Sequence, residues 1–208
     1  MIITKITSAK QHLNVVLLNN GQEILLDKDI CVIHSLIPDM EISEENLGKL
    51  IFESQFSRAK SRALWYLDRM DYTEKKLYDK LISKGFHKKA VAAVLANLTE
   101  KGIVDDRRYA ERFAEKLMDA NVSKREALSK MLCRGLPLTL SREVLEEYKV
   151  EESDALAKLI ETKYAAKLKS ENGYQKVYAA LVRKGFSYSE VRSALKKYTD
   201  DIEFSEEY

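Results

Sequence analysis

The chain has 208 residues, 33% of them charged, with 35 Lys and Arg against 33 Asp and Glu and only two prolines. That size and composition suit one or two helix-rich domains. No apolar run reaches the length of a membrane span, no signal-peptide pattern opens the chain, and the lone cysteines Cys31 and Cys133 make neither a disulfide framework nor a metal cluster, so a reduced, cytoplasmic setting is expected.

The small net charge conceals a segregation. Residues 1–56 carry −4, residues 57–200 carry +10 and residues 201–208 carry −4. A basic body between acidic ends suits electrostatic binding to a polyanion or to an acidic protein, without choosing between them.

In chain order, Ile2–Thr7, Leu13–Leu18 and Glu23–Leu26 read as short strands. Asn20-Gly21 is expected as a type I′ turn, with positive φ at both positions. The pattern Ile30, Val32, Ile33, Leu36 predicts a short helix ended before Pro38. Residues 1–42 thus form a small β-rich cap, and three strands alone are marginal, so they should lean on the helices. Ser43, with Glu45 and Asn46, starts a connecting helix over 43–56 that carries Leu47, Leu50 and Ile51.

Beyond it, Gly85, Gly135 and Gly185 stand fifty residues apart, in Lys84-Gly85-Phe86, Arg134-Gly135-Leu136 and Lys184-Gly185-Phe186. Their flanks agree at the same offset. Leu77, Tyr78, Leu81 and Ile82 correspond to Ala127, Leu128, Met131 and Leu132, and to Val177, Tyr178, Leu181 and Val182. Spacings of three and four put these side chains on one helical stripe. Each glycine suits a helix stop, entering the left-handed region while the next residue packs back on the helix. Ser123 with Glu126 and Ser187 with Glu190 have capping-box spacing, and Thr73 is equivalent to Ser123. A further helix precedes each cap, over Phe56–Arg69, Asp106–Ala120 and Ser153–Lys169.

The expected fold is mainly α: three tandem three-helix repeats with a period of ~50 residues in an elongated curved stack, behind the β-rich cap. The repeats span 57–104, 105–150 and 151–200, and 201–208 is an acidic tail. Such architecture suits a surface for an extended partner.

No catalytic motif stands out. His12, His34 and His87 lie in separate segments, and Asp105-Asp106 reads as a helix cap, so neither catalysis nor a metal or other cofactor is expected. The bases form patterns instead. Lys76, Lys80 and Lys84 make one exposed line after Thr73, Arg108, Arg112 and Lys116 another, and Arg58 and Arg62 a third. Such lines suit successive phosphate contacts. They equally suit a solvated face, with Asp79, Glu111 and Glu115 nearby for local ion pairs. Tyr72, Tyr78, Tyr109 and Tyr178 are candidates for base stacking, although Tyr78 and Tyr178 hold equivalent stripe positions that favour core packing.

The run Lys101-Gly102-Ile103-Val104-Asp105-Asp106-Arg107-Arg108-Tyr109-Ala110-Glu111-Arg112-Phe113 resembles the signature of bacterial RecX regulatory proteins. The run from Arg62 through Leu77 and Leu81 to Lys84-Gly85-Phe86 is similar too, and the resemblance covers about 57 to 198. The short β-rich N-terminus resembles an extension found in some members. The resemblance implies a non-enzymatic monomer that binds the RecA–DNA filament along its groove and restrains its growth, ATP hydrolysis and strand exchange in recombination and repair. Weak, sequence-independent contact with single- and double-stranded DNA goes with that. A stand-alone DNA-binding helical-repeat protein is the alternative. The middle unit departs from the pattern, Leu136-Pro137 standing in place of the Gly-Phe step.

Overall fold

Three antiparallel strands, β1 (Ile3–Ala9), β2 (Leu13–Leu18) and β3 (Glu23–Asp27), lie in the order β1-β2-β3. The computed structural model describes residues 1–147 and 152–198, in one unit over Met1–Asp105 and a second from Asp106 onward. The boundary between repeats at 150/151 and the acidic tail 201–208 lie outside the described residues.

In the first unit the strand alternation sends Val16, Leu18, Ile24 and Leu26 inward. They meet Ile30 and Cys31 of α1 (Lys28–Ile33) and Leu47 and Leu50 of α2 (Glu44–Leu67), so the sheet does lean on a helix. Ser54 of α2 secures that contact, its buried hydroxyl accepting from the Asp27 amide at 2.7 Å. No break separates the connecting helix expected over 43–56 from the first helix of the first repeat: α2 is continuous, because no proline and no second cap interrupts it.

The Asn20-Gly21 expectation needs correcting. Only Gly21 has positive φ there, at 82°, and its amide donates to Leu18 at 2.9 Å. The Asn20 side chain instead accepts from the Gln22 amide at 3.0 Å, a local bond that holds the loop in a three-residue form. The paired positive φ values belong to the other hairpin, at Gln11 (61°) and His12 (60°).

After α2 come α3 (Glu74–Ile82) and α4 (Lys88–Glu100), completing the first three-helix unit. Ala59 and Ala63 of α2 are fully buried, small enough to let α4 approach with Val91, Val94, Leu95 and Leu98. The second unit holds α5 (Asp106–Asp119), α6 (Lys124–Cys133) and α7 (Leu138–Glu147), around Ala110, Ala114, Met131, Val144 and Leu145. It also holds the third repeat, with α8 (Glu152–Leu159), a π-helical turn at Ile160–Tyr164, α9 (Ala165–Leu168), α10 (Gly173–Arg183) and α11 (Tyr188–Lys196). The helix read over Ser153–Lys169 is therefore interrupted by that turn. Each repeat keeps its own core, and the register is visible in it: Leu81, Met131 and Leu181 are each fully buried. Where Val91 and Val191 stand in two repeats the middle one has buried Ser141, whose hydroxyl donates to the Pro137 carbonyl at 2.8 Å.

The three glycines end α3, α6 and α10 with φ of 85°, 83° and 92°. In each the glycine amide and the next amide fold back on the last turn, as in Gly85 to Ile82 (2.9 Å) and Phe86 to Leu81 (3.4 Å). The middle copy keeps this clip, with the Leu136 amide 3.2 Å from the Met131 carbonyl and Leu136 buried. Leu136 thus takes the phenylalanine's part, and the departure noted at Leu136-Pro137 leaves the helix stop intact. Thr73, Ser123 and Ser187 all cap their helices, with the full reciprocal box at Ser187. At Ser123 the Glu126 carboxylate lies instead 2.7 Å from Lys130.

Candidate nucleic-acid interface

A cationic stripe runs down the second half of α2. Arg58, Arg62, Trp65 and Arg69 follow at steps of four, three and four, which place them on one helical face. Trp65 is 45% exposed, an unusual setting for a large ring. The Arg69 guanidinium carbon lies 3.6 Å from its ring centroid and that of Arg62 lies 5.5 Å away. Arg69 is also tied down, donating to the Trp65 carbonyl at 2.8 Å, one of the last-turn acceptors a helix leaves open. Arg58 is half-buried and sits 5.7 Å from the Phe86 ring.

This face walls an open cleft of ≈ 370 Å³. Arg58, Arg62, Trp65 and Phe86 form one side, and the β1–β2 loop with the start of α1 forms the other, bringing His12 and Asp29. His12 Nε2 lies 3.0 Å from Asp29 Oδ1. Asp27 lies beneath them, one carboxylate oxygen accepting from the Asp29 amide at 2.9 Å to cap α1. The histidine that stood alone in the sequence is thus gathered with two carboxylates, all three ligating atoms within 4.8 Å of one another.

The lysine line on α3 is altered by packing. Lys76 and Lys84 are exposed, but Lys80 is half-buried, donating to the Tyr72 hydroxyl at 2.6 Å with its ammonium 4.5 Å from the Tyr66 ring centroid. Tyr72 and Tyr66 are therefore partners of Lys80, and Tyr78 and Tyr178 pack against their repeat cores. On α5, Arg108, Arg112 and Lys116 are exposed, and Tyr109 packs on the core of its repeat. Arg107, beside them, is structural. It joins α5 to α7, donating to Glu147 at 2.6 Å and to Glu111 at 3.0 Å, and the hydrogen bond to Glu147 raises its pKa further.

His34 meets Glu53 at 2.6 Å and the His87 ring accepts from the Lys89 amide as the cap of α4. The line of bases expected on α2 ends at Arg62. Continuing it by three and four residues reaches Trp65 and Arg69, the signal that it contained. Among the described residues, no helix is long and apolar enough to cross a membrane.

Comparison with known proteins agrees with this architecture. The model of the first three-helix domain of RecX matches residues 59–98, and that of the third three-helix domain matches 151–195. Regulatory protein RecX of Clostridium tetani is 30% identical, over 95% of this chain and 95% of its own. That of Streptococcus gordonii is also 30% identical, over 100% of this chain and 80% of its own. A crystal structure of regulatory protein RecX covers 94% of this chain and 98% of its own at a TM-score of 0.67 and 20% identity. RecX from Lactobacillus salivarius covers 69% of this chain and 96% of its own, at 0.62 and 21%. These two structures speak for the fold. With 30% identity spread over nearly the whole of both chains, the protein belongs to the RecX family of regulatory proteins.

Proposed function

We propose that the protein binds the RecA–DNA filament and restrains its ATP hydrolysis, extension and strand exchange, without catalytic chemistry or a cofactor of its own. The observation that carries this reading is the 30% identity with regulatory protein RecX over 95% of both chains. The exposed bases add a physical route. Lys76 and Lys84 on one repeat and Arg108, Arg112 and Lys116 on the next offer salt-sensitive contacts to phosphates or to acidic protein surface. Arg58 and Arg62 add a cationic face on α2. The protein acts as a cytoplasmic monomer in this reading.

The test is binding of the full chain to RecA filaments on single-stranded DNA, compared with DNA alone, across a salt series. Preferential binding to the filament supports the reading. Equal affinity for bare DNA favours a stand-alone DNA-binding protein.

A further inference from the structure

The cleft beside α2 has unlike walls. One side carries Arg58 and Arg62 together with the aromatic surface of Trp65 and Phe86, and the other carries Asp29 beside His12. A simple polyanion fits poorly, because a phosphate at the acidic side meets the Asp27 and Asp29 carboxylates. An apolar ligand fits no better, leaving both arginines unanswered. The complement is a ligand anionic at one end and flat, uncharged and hydrogen-bonding at the other, which describes a nucleotide.

We propose that this cleft holds one nucleotide of a single-stranded nucleic acid, with its phosphate at Arg58 and Arg62 and its base stacked on Trp65. The proposal rests on the DNA-contact part of the function proposed above and gives that contact a strand preference. Base stacking on a protein ring requires an unstacked base, and duplex bases already cover one another's faces. The Arg69 guanidinium lies over the indole, 3.6 Å from its centroid, and does not line the cleft, so it backs one face of the ring and the base takes the other. At ≈ 370 Å³ the cleft lies within the range of about 300–1,000 Å³ usual for small-molecule sites. The Asp29 carboxylate, 72% exposed, can accept from a base amino group and repels a second phosphate. That repulsion keeps the backbone at the arginine side and turns the base toward Asp29.

Trp65 is the chain's sole tryptophan, so its fluorescence reports on this cleft alone. The full chain is titrated at low salt with a short single-stranded oligonucleotide and with a blunt duplex of the same length, each also labelled for anisotropy. The expected result is quenching by the single strand and none by the duplex. Trp65→Ala should weaken single-strand binding roughly tenfold, as for loss of one stacked base, and leave duplex binding unchanged. Trp65→Phe should retain most of the affinity. Arg62→Ala, which leaves the indole in place, should weaken the strand while preserving residual quenching.

Equal quenching by duplex, or unchanged single-strand affinity in Trp65→Ala, overturns the proposal. Binding seen by anisotropy without quenching overturns it too, while leaving DNA contact through the exposed lysines standing. Loss of all DNA binding in the wild-type chain overturns both.

Discussion

The Ser123 hydroxyl donates a 2.6 Å hydrogen bond to the Lys184 carbonyl, joining the start of α6 to the end of α10. The same oxygen accepts from the Glu126 amide at 3.2 Å as the cap of α6. One buried atom therefore ends one helix, begins another and links consecutive repeats. Ser123→Ala should cost about 2 kcal/mol, roughly half from the cap and half from the part-buried Lys184 carbonyl left without this donor. Ser187→Ala, at an exposed cap, should cost about 1 kcal/mol. Equilibrium unfolding of both variants in urea checks the ordering, and equal losses would contradict it.

The helix-stop glycines are not equivalent. A methyl added at Gly85 meets nothing within 4 Å, so Gly85→Ala should cost only the backbone strain of a left-handed residue, about 1–2 kcal/mol. A methyl at Gly185 lies 2.7 Å from Ser123 Oγ and 3.3 Å from the Glu126 amide nitrogen. Gly185→Ala should lose at least about 1 kcal/mol more through overpacking of that junction. Matched denaturation midpoints for the two variants would rule out the close approach.

The two thiols should differ sharply in reactivity. Cys133 is exposed and Cys31 is buried in the core beneath the sheet, where burial pushes its thiol above the ordinary pKa. With a thiol-reactive disulfide reagent at mildly alkaline pH, one thiol should react at once and the second only as the chain unfolds. Because the folded pKa is the higher one, the stability held by the protonated Cys31 is complete below the unfolded thiol's pKa. It is lost as pH rises from there through the folded value. Rapid reaction of both thiols in the native protein would contradict this placement.

Lys80 and its neighbours on the lysine line should separate stability from binding. Lys80→Met removes the Tyr72 hydrogen bond and the contact with Tyr66, and should destabilise the fold by about 1–2 kcal/mol. Lys76→Glu with Lys84→Glu should move stability by no more than about 0.5 kcal/mol per site. That pair should weaken DNA binding and lower the salt slope by about 0.9 per lost duplex phosphate contact. Salt titrations of the folded variants, with an unfolding curve for each, decide the matter. An unchanged slope in the double variant would remove these lysines from the interface.

Much of this molecule is legible from local rules, because its repeats are locally built. The stops at Gly85, Gly135 and Gly185 and the caps at Thr73, Ser123 and Ser187 depend on nearby backbone, and all hold in the structure. Two further stops of the same kind, at Gly102 (φ 64°) and Asn121 (φ 53°), fall outside the fifty-residue glycine register, which therefore does not reveal them. The turn at Asn20 escaped because its side chain had a competing local bond, which composition does not rank. Lys80 shows a different limit. Its spacing puts it in line with Lys76 and Lys84, but the Tyr66 and Tyr72 rings that hold it come from α2 and the α2–α3 loop. The cleft was invisible for the same reason: His12 and Asp29 reach Arg58 and Trp65 only through the packing of the sheet on α2.

Action on the RecA filament is tested by RecA ATPase on single-stranded DNA during titration with the full chain. Hydrolysis should fall in a dose-dependent way, and less so with Lys76→Glu and Lys84→Glu combined. ATP hydrolysis that stays unchanged at saturating protein would contradict action on the filament.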